Sequence, residues 1–318
     1  MARIFRPLDG VLLFDKPLEL SSNTALQKVR RLFQAEKAGH TGTLDPLATG
    51  LLPVCFGEAT KFSTALLDAD KSYRATLRLG RTTTTGDVEG EVIAERPVDV
   101  TRAEVEAALA KFRGDILQVP PMHSALKHQG KPLYEYIRKG ETIEREPREV
   151  TVHELVLERF AGDELEIGVR CSKGTYVRTL AEDIGEALGC GAHLIALRRT
   201  AIAHFDLRDA CDWERLQGMT ESERLACVLP VDSLMPGMPR LELDAVQIKR
   251  LAQGQRLALE DGLPQGRVSL HGPQGFAGVG MLQGRRLAPE RLLSSLAKQA
   301  AQAETTENLG LSGNPVQG

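Results

Sequence analysis

Apolar and polar positions alternate along this chain in a way that divides it into short strands and amphipathic helices in mixed order. "GVLLFDKP" reads as a short strand ending at Pro17, and "SSNTALQKVRRLFQ" as a helix with Ser21, Ser22 or Asn23 as N-cap candidates. Leu26, Val29, Leu32 and Phe33 fall on one face of that helix. "LLPVCFG" has the apolar run of a buried strand and "EATKFSTALL" is expected to be a helix, so "GHTGTLDPLATG", Gly39 to Gly50, is a loop between ordered elements. In "KSYRATLRLG", Tyr73, Ala75, Leu77 and Leu79 alternate with Arg74, Thr76 and Arg78, the signature of a strand with one apolar face. "RTTTTGDVEGEVIAE" supplies a polar turn and a returning strand, and "TRAEVEAALAKF" a helix with a capping box from Thr101 to Glu104 and a stop at Gly114.

The next segment, "DILQVPPMHSALKHQGKPLYEYIRKGETIEREPRE", differs in kind. Its paired prolines, mixed charges and one short helical stretch ended by Gly140 predict a mobile excursion rather than core, with an insertion at about 119–150. "VTVHELVLERF" and "DELEIGVRCSKGTY" then read as two strands, the second with Leu165, Ile167, Val169 and Cys171 inward. "YVRTLAEDIGEALG" is an amphipathic helix through Val177, Leu180, Ile184 and Leu188. Hairpins interspersed with helices predict an α+β fold with a largely antiparallel mixed sheet. The break at "SLMPGMPR" suggests a larger domain at 1–234 and a small β-barrel-like module at 240–296, and the tail 298–318, with almost no large apolar residues, is expected to be disordered.

Composition narrows the function classes. With 318 residues, 42% hydrophobic and 26% charged, and no apolar run near the roughly 20 residues of a membrane span, the chain reads as globular. No signal peptide is visible, so the cytoplasm is the expected compartment. Cys55, Cys171, Cys190, Cys211 and Cys227 are odd in number and scattered, and His123 and His128 lack helical ligand spacing, so neither a disulfide framework nor a metal site is expected. A net charge of −3 leaves no whole-chain footprint for nucleic acid. Residues 1–40 lean basic, which a solvated helix face explains as well as RNA does.

Two glycine-rich stretches fail as nucleotide sites. "GHTGTLDPLATG" lacks the Gly-Lys-Ser/Thr end of a P-loop, and "GCGAHL" follows a helix rather than a strand. The first nevertheless carries Asp45, one carboxylate among glycines with His40, Thr41 and Thr43 beside it. Leu-Asp-Pro is by itself an ordinary turn start. A carboxylate is already ionised at neutral pH, however, and acts as a nucleophile without an activating base. A guanidinium would hold it charged and aimed. The strand-to-helix junction "CSKGTYVRTLAEDIG" offers Tyr176 and Arg178, whose ordinary roles would be a core edge and a surface pair with Glu182. Tyr73, on the apolar face of its strand, reads more readily as core packing.

Taken together, six blocks in fixed order resemble the bacterial TruB family of pseudouridine synthases. They are "GVLLFDKPLELSSN", "GHTGTLDPLATGLLPVCFGEATK", "KSYRATLRLG", "TTTTGDVEGEV", "PPMHSALKHQGKPLYEYIRKG" and "CSKGTYVRTLAEDIGEALGCGAHLIALRR". The resemblance runs from about Gly10 to Arg199. It implies the pseudouridine-synthase fold, an RNA-gripping insertion and a PUA-like C-terminal module. It implies as activity the isomerisation of uridine at position 55 in the T-arm of tRNA, without a cofactor, an obligate protein partner or a membrane. A monomer is expected. By position, Asp45 is implied as the catalytic aspartate, Tyr73 as the aromatic residue against the uracil and Arg178 as the partner of Asp45. Tyr176 and Leu197 are implied to line the pocket, His40 to help displace the base, and Asp87 to contact the RNA. Attack of Asp45 at ribose C1′, attack at uracil C6 and assistance of a glycal are all compatible with these residues. Two other readings are a non-catalytic tRNA-binding or folding helper and a guide-dependent pseudouridine synthase of the same superfamily.

Overall fold

The computed structural model describes residues 5–124, 126–137, 140–141 and 143–296, so the tail 298–318 lies outside the described residues. β1 (Gly10–Lys16) leads into α1 (Ser22–Leu32), followed by β2 (Ala38–His40) and β3 (Ala48–Phe56). Ser21 caps α1 by accepting from the Thr24 amide. Leu26, Val29 and Phe33 turn into the core, where Phe33 packs on Phe56 at 5.1 Å between ring centroids. Each such side chain contributes about 1.5–3 kcal/mol by leaving water.

A 3-10 turn (Gly57–Lys61) and α2 (Thr64–Leu67) precede β4 (Lys71–Leu79). A hairpin of β5 (Arg81–Thr83) and β6 (Val92–Glu95), the capped helix α3 (Arg102–Ala110) and β7 (Gly114–Gln118) come next. The insertion carries β8 (Lys127–His128), β9 (Lys131–Pro132) and α4 (Leu133–Ile137). Beyond it lie β10 (Arg148–Ala161), β11 (Glu164–Cys171), α5 (Val177–Ala187), β12 (Ala192–Ile202) and β13 (Phe205–Asp206). α6 (Trp213–Gly218), α7 (Glu221–Ala226) and β14 (Val228–Leu229) complete the larger part.

The main sheet runs β14-β1-β3-β12-β4-β11-β10-β7, with β2 on β3 and β13 on β12. Among the described residues its pairings are antiparallel except for β3 with β12. The fold is therefore α+β with a largely antiparallel mixed sheet. The parallel pair positions the site, because it sets Leu197 opposite Ala48 and Arg199 opposite Gly50. On the other edge of β12, Arg199 faces Tyr73 of β4. Gly50 has φ +101°, and a Cβ there would lie 2.3 Å from the Arg199 carbonyl. This glycine thus makes room for the backbone of β12.

α3 and α5 cover β4, β10, β11 and β12 around Leu77, Val105, Ile167 and Leu180, while α1 and α6 cover β1 and β3. The C-terminal module contains β15 (Arg240–Glu242), α8 (Ala245–Ala252), β16 (Leu257–Ala258), β17 (Gly266–Gly272), β18 (Gly275–Gln283) and β19 (Arg286–Leu292). Its sheet, β15-β17-β18-β19-β16, has its own core around Leu251, Val268, Leu270 and Leu287, a PUA-like arrangement. It docks on the larger part through Val279 among Val11, Leu51 and Leu234, and through Phe276 edge-on to Phe62.

Three expectations are corrected. "EATKFSTALL" is not one helix, because Lys61 is tied to Glu58 and to Ser294 of the C-terminal module, and the chain turns between its two short pieces. "DILQ" is the edge strand β7 rather than part of an excursion. The stretch from Gly39 to Gly50 is not loop throughout, since β2 and β3 take its two ends and 41–47 remain as loop. The central strand β12 was not foreseen at all, since the double arginine in "AHLIALRRTAI" interrupts any apolar run.

Candidate active site

The loop carrying Asp45 is held by the start of α1 and the segment that precedes it. The Ser22 hydroxyl accepts from the Leu44 N–H (2.7 Å) and donates to the Leu44 carbonyl (2.9 Å), while the Glu19 amide donates to Pro46 O at 2.9 Å. The neighbours of Asp45 are therefore fixed, yet its side chain remains 42% exposed. It borders a cavity of about 270 Å³ whose wall also includes Tyr73, Tyr176, Arg178, Leu197 and Arg199. A larger groove of about 710 Å³, between Lys61 and Arg291, contains none of these residues. The chemistry of the lining, rather than its volume, selects the site.

Arg178 leaves the first turn of α5 and is 6% exposed. Its Nη2 lies 3.1 Å from Asp45 Oδ2 and donates to the His123 carbonyl at 2.6 Å. Its Nη1 lies 3.2 Å from Asp87 Oδ2 and 3.4 Å from the Thr85 carbonyl. The guanidinium thus turns inward to two carboxylates rather than along the helix surface to Glu182. A buried cation needs this, because the cost of stripping its water is offset only when its donors are taken up. The geometry leaves Asp45 as the accessible end of a chain of charges, aimed into the cavity.

Asp87 is the buried end of that chain. It is 2% exposed and accepts from the Thr85 hydroxyl at 2.5 Å and the Glu89 amide at 3.0 Å. The carboxylate of Asp87, implied by the resemblance to contact RNA, faces the guanidinium and the turn between β5 and β6. Sequence spacing could not reveal this, since an acid in a polar turn looks solvent-exposed.

Tyr73 is half-buried on β4, with the Arg199 guanidinium against its hydroxyl. Burial holds the phenol above its ordinary value of about 10, so it is protonated at neutral pH. Leu197 approaches the same cavity from β12. Tyr176 is the N-cap residue of α5, and burial likewise raises its phenol. His40 ends β2 and stands beside the cavity rather than in its wall. Burial, then the nearby Arg199, lowers its pKa, and its Nδ1 has no hydrogen-bond partner among the described residues.

Sequence reasoning missed four contributors. Arg199 is 1% exposed and ties the loop to the strands by donating from Nε to Leu51 O (2.7 Å) and from Nη2 to Gly42 O (3.2 Å). Lys16, also fully buried, donates to Pro17 O and Leu20 O at 2.9 and 2.6 Å. Burial pushes its pKa down to about 8, opposed by the charge of Asp45. Ser22 and Gln118 complete the set. A lysine or arginine inside an apolar strand was the available signal for the first two; for Ser22 and Gln118 the sequence carries none.

Residues 30–177 match the TruB family pseudouridylate synthase N-terminal domain. Residues 178–236 match the tRNA pseudouridylate synthase B C-terminal domain, and 239–293 the pseudouridine synthase II TruB C-terminal model. The tRNA pseudouridine synthase B of Methylobacillus flagellatus is 58% identical over 293 residues, covering 92% of this chain and 97% of the relative. That of Chromobacterium violaceum is 56% identical over 297 residues, with coverage of 92% and 97%. Among solved structures, a chain of a Cbf5-Nop10-Gar1 complex superposes with a TM-score of 0.66 at 25% identity, covering 89% of this chain and 84% of the other. Likeness of this extent, running from the loop of Asp45 through the C-terminal module, means that the chain belongs to the TruB family of pseudouridylate synthases.

Proposed function

We infer that this chain is a tRNA pseudouridine synthase and that its substrate is the uridine at position 55 in the T-arm. The observation that carries this reading is the placement of Asp45, exposed at the mouth of a cavity and held there by a guanidinium that a second, buried carboxylate anchors. The reaction breaks the C1′–N1 bond, turns the uracil while it stays bound, and joins C5 to C1′. C5 loses a proton and N1 gains one, so the product is an isomer and no redox partner or group donor is consumed.

A base inside an RNA fold must leave its stack, which costs a few kcal/mol, and stacking on a ring returns roughly 1–3 kcal/mol. Tyr73 and Leu197 line the cavity from adjacent strands, which supports their receiving the base there. Asp45 then meets the nucleoside, and Arg178 keeps the carboxylate ionised and directed. His40, deprotonated at neutral pH by its burial, serves at the mouth as a neutral ring that takes the place of the departing base. Recognition of the T-arm by shape and by splayed loop bases falls to the insertion at 119–150 and the PUA-like module. The protein is read as a cytoplasmic monomer that needs no partner beyond the RNA.

Tritium release from a T-arm stem-loop labelled at uracil C5 tests the reading with purified protein alone. Wild type should release tritium and Asp45→Asn should stay at background. Release by Asp45→Asn at the wild-type rate would remove the catalytic assignment. A wild type that binds the stem-loop but leaves it unmodified would favour the helper or guide-dependent readings.

A further inference from the structure

The backbone of Tyr176 is gripped by a side chain from the edge of the sheet. Gln118, the last residue of β7, is 2% exposed. Its Nε2 donates to the Tyr176 carbonyl at 3.3 Å, and its Oε1 accepts from the Tyr176 N–H at 3.0 Å. Tyr176 has no side-chain cap of its own, so Gln118 takes up an amide that the start of α5 leaves without a partner. Two residues on, Arg178 departs toward Asp45.

The chain beyond Gln118 enters the insertion and returns at once to the same guanidinium. The His123 carbonyl accepts from Arg178 Nη2 at 2.6 Å, the nitrogen that also faces Asp45 at 3.1 Å. Ser124 follows in the cavity wall, its buried hydroxyl beside the Tyr176 phenol. One end of the insertion is therefore fastened to the first turn of α5 twice, by a side-chain amide at Tyr176 and by a backbone carbonyl at Arg178.

We propose that Gln118 is a positioning residue of the reaction: it locks the first turn of α5 to the base of the insertion, so that seating the insertion on RNA and aiming Arg178 at Asp45 are one event. This rests on the tRNA pseudouridine synthase reading. A guanidinium released from this lock would be free to move relative to Asp45, and displacements of about 1 Å at such groups cost on the order of a hundredfold in rate. RNA affinity would be left largely alone, because Gln118 is buried and faces the protein.

Gln118→Glu and Gln118→Ala test it by single-turnover pseudouridine formation on a T-arm stem-loop, with binding measured separately. The carboxylate that Gln118→Glu introduces accepts from the Tyr176 N–H but, while ionised, cannot donate to its carbonyl, whereas the protonated acid does both, as the amide does. Gln118→Ala should lower the rate at saturating RNA by about tenfold or more, with Kd changed by less than about threefold. Gln118→Glu should be impaired at about pH 8 and recover relative to wild type toward about pH 5.5. A role confined to stability predicts no such relative recovery at a temperature where the variant is folded. Wild-type rates in Gln118→Ala, a loss lying wholly in Kd, or a Gln118→Glu profile parallel to wild type would each overturn the proposal. So would a Gln118→Glu protein that fails to fold, since Gln118 would then belong to the fold alone. If wild type itself forms no pseudouridine, the functional reading fails rather than the positioning role.

Discussion

Asp45, Arg178 and Asp87 form a line of alternating charge in which burial increases along the row, and this ordering separates their roles. Arg178→Ala is expected to cut turnover by more than about a hundredfold while tRNA affinity changes less than about threefold, measured by single-turnover rates beside filter binding. A loss mainly in affinity would mean that Arg178 serves RNA instead. Asp87→Ala removes the buried one of two carboxylates facing the guanidinium, so a loss of about 1.5–3 kcal/mol in urea unfolding is expected, along with turnover. A surface RNA contact at Asp87 would instead weaken binding and spare stability.

Lys16 gives a pH-dependent test at the same scale. Its folded pKa, about 8, lies below the ordinary value of 10.5. Between these values the unfolded chain holds the proton that the folded chain has shed, so this residue's contribution to stability rises with pH through that window and is least below it. The neutral amine keeps two N–H groups for Pro17 O and Leu20 O. The stability of wild type relative to Lys16→Met should therefore increase from pH 8 toward 10.5. A difference that is flat or falling over that range would show that the ammonium is not penalised by its burial.

Among elements, the legible ones were those whose pattern is local. α1 and α3 declared themselves through caps and apolar spacing, and β4 and β11 through alternation. β7 has only five residues and takes its identity from pairing with β10, while β12 carries Arg198 and Arg199 inside the sheet because the Leu51 and Gly42 carbonyls and Asp15 accept from them. Such acceptors come from distant segments and leave no periodic trace. The β3–β12 contact is equally specific. Gly50→Ala is expected to destabilise by at least about 2–3 kcal/mol, combining a left-handed φ with a collision against Arg199 O, and should be seen as a lowered melting temperature. Thr101→Ala at the capping box of α3 should cost only about 1 kcal/mol and leave turnover unchanged.

At the scale of the whole molecule, the insertion is the part whose state RNA is expected to change. Its one end is fastened to α5 and its middle is exposed at Gln129, Gly130, Lys131 and Glu135. Adding tRNA should protect 119–150 from limited proteolysis, and unchanged cleavage there would count against a gripping role. The α+β class, the PUA-like module and the family were all legible in the order of residues, because repeated apolar spacing and ordered motif blocks are properties of the chain read in line. Folding in three dimensions was needed to show that Asp87 is buried against Arg178, that Gly50 makes room for β12, and that Gln118 and Ser22 hold the residues around the cavity. Those contacts join segments far apart along the chain, and the free energy of a buried charge or amide depends on what surrounds it in space rather than on what precedes it in sequence.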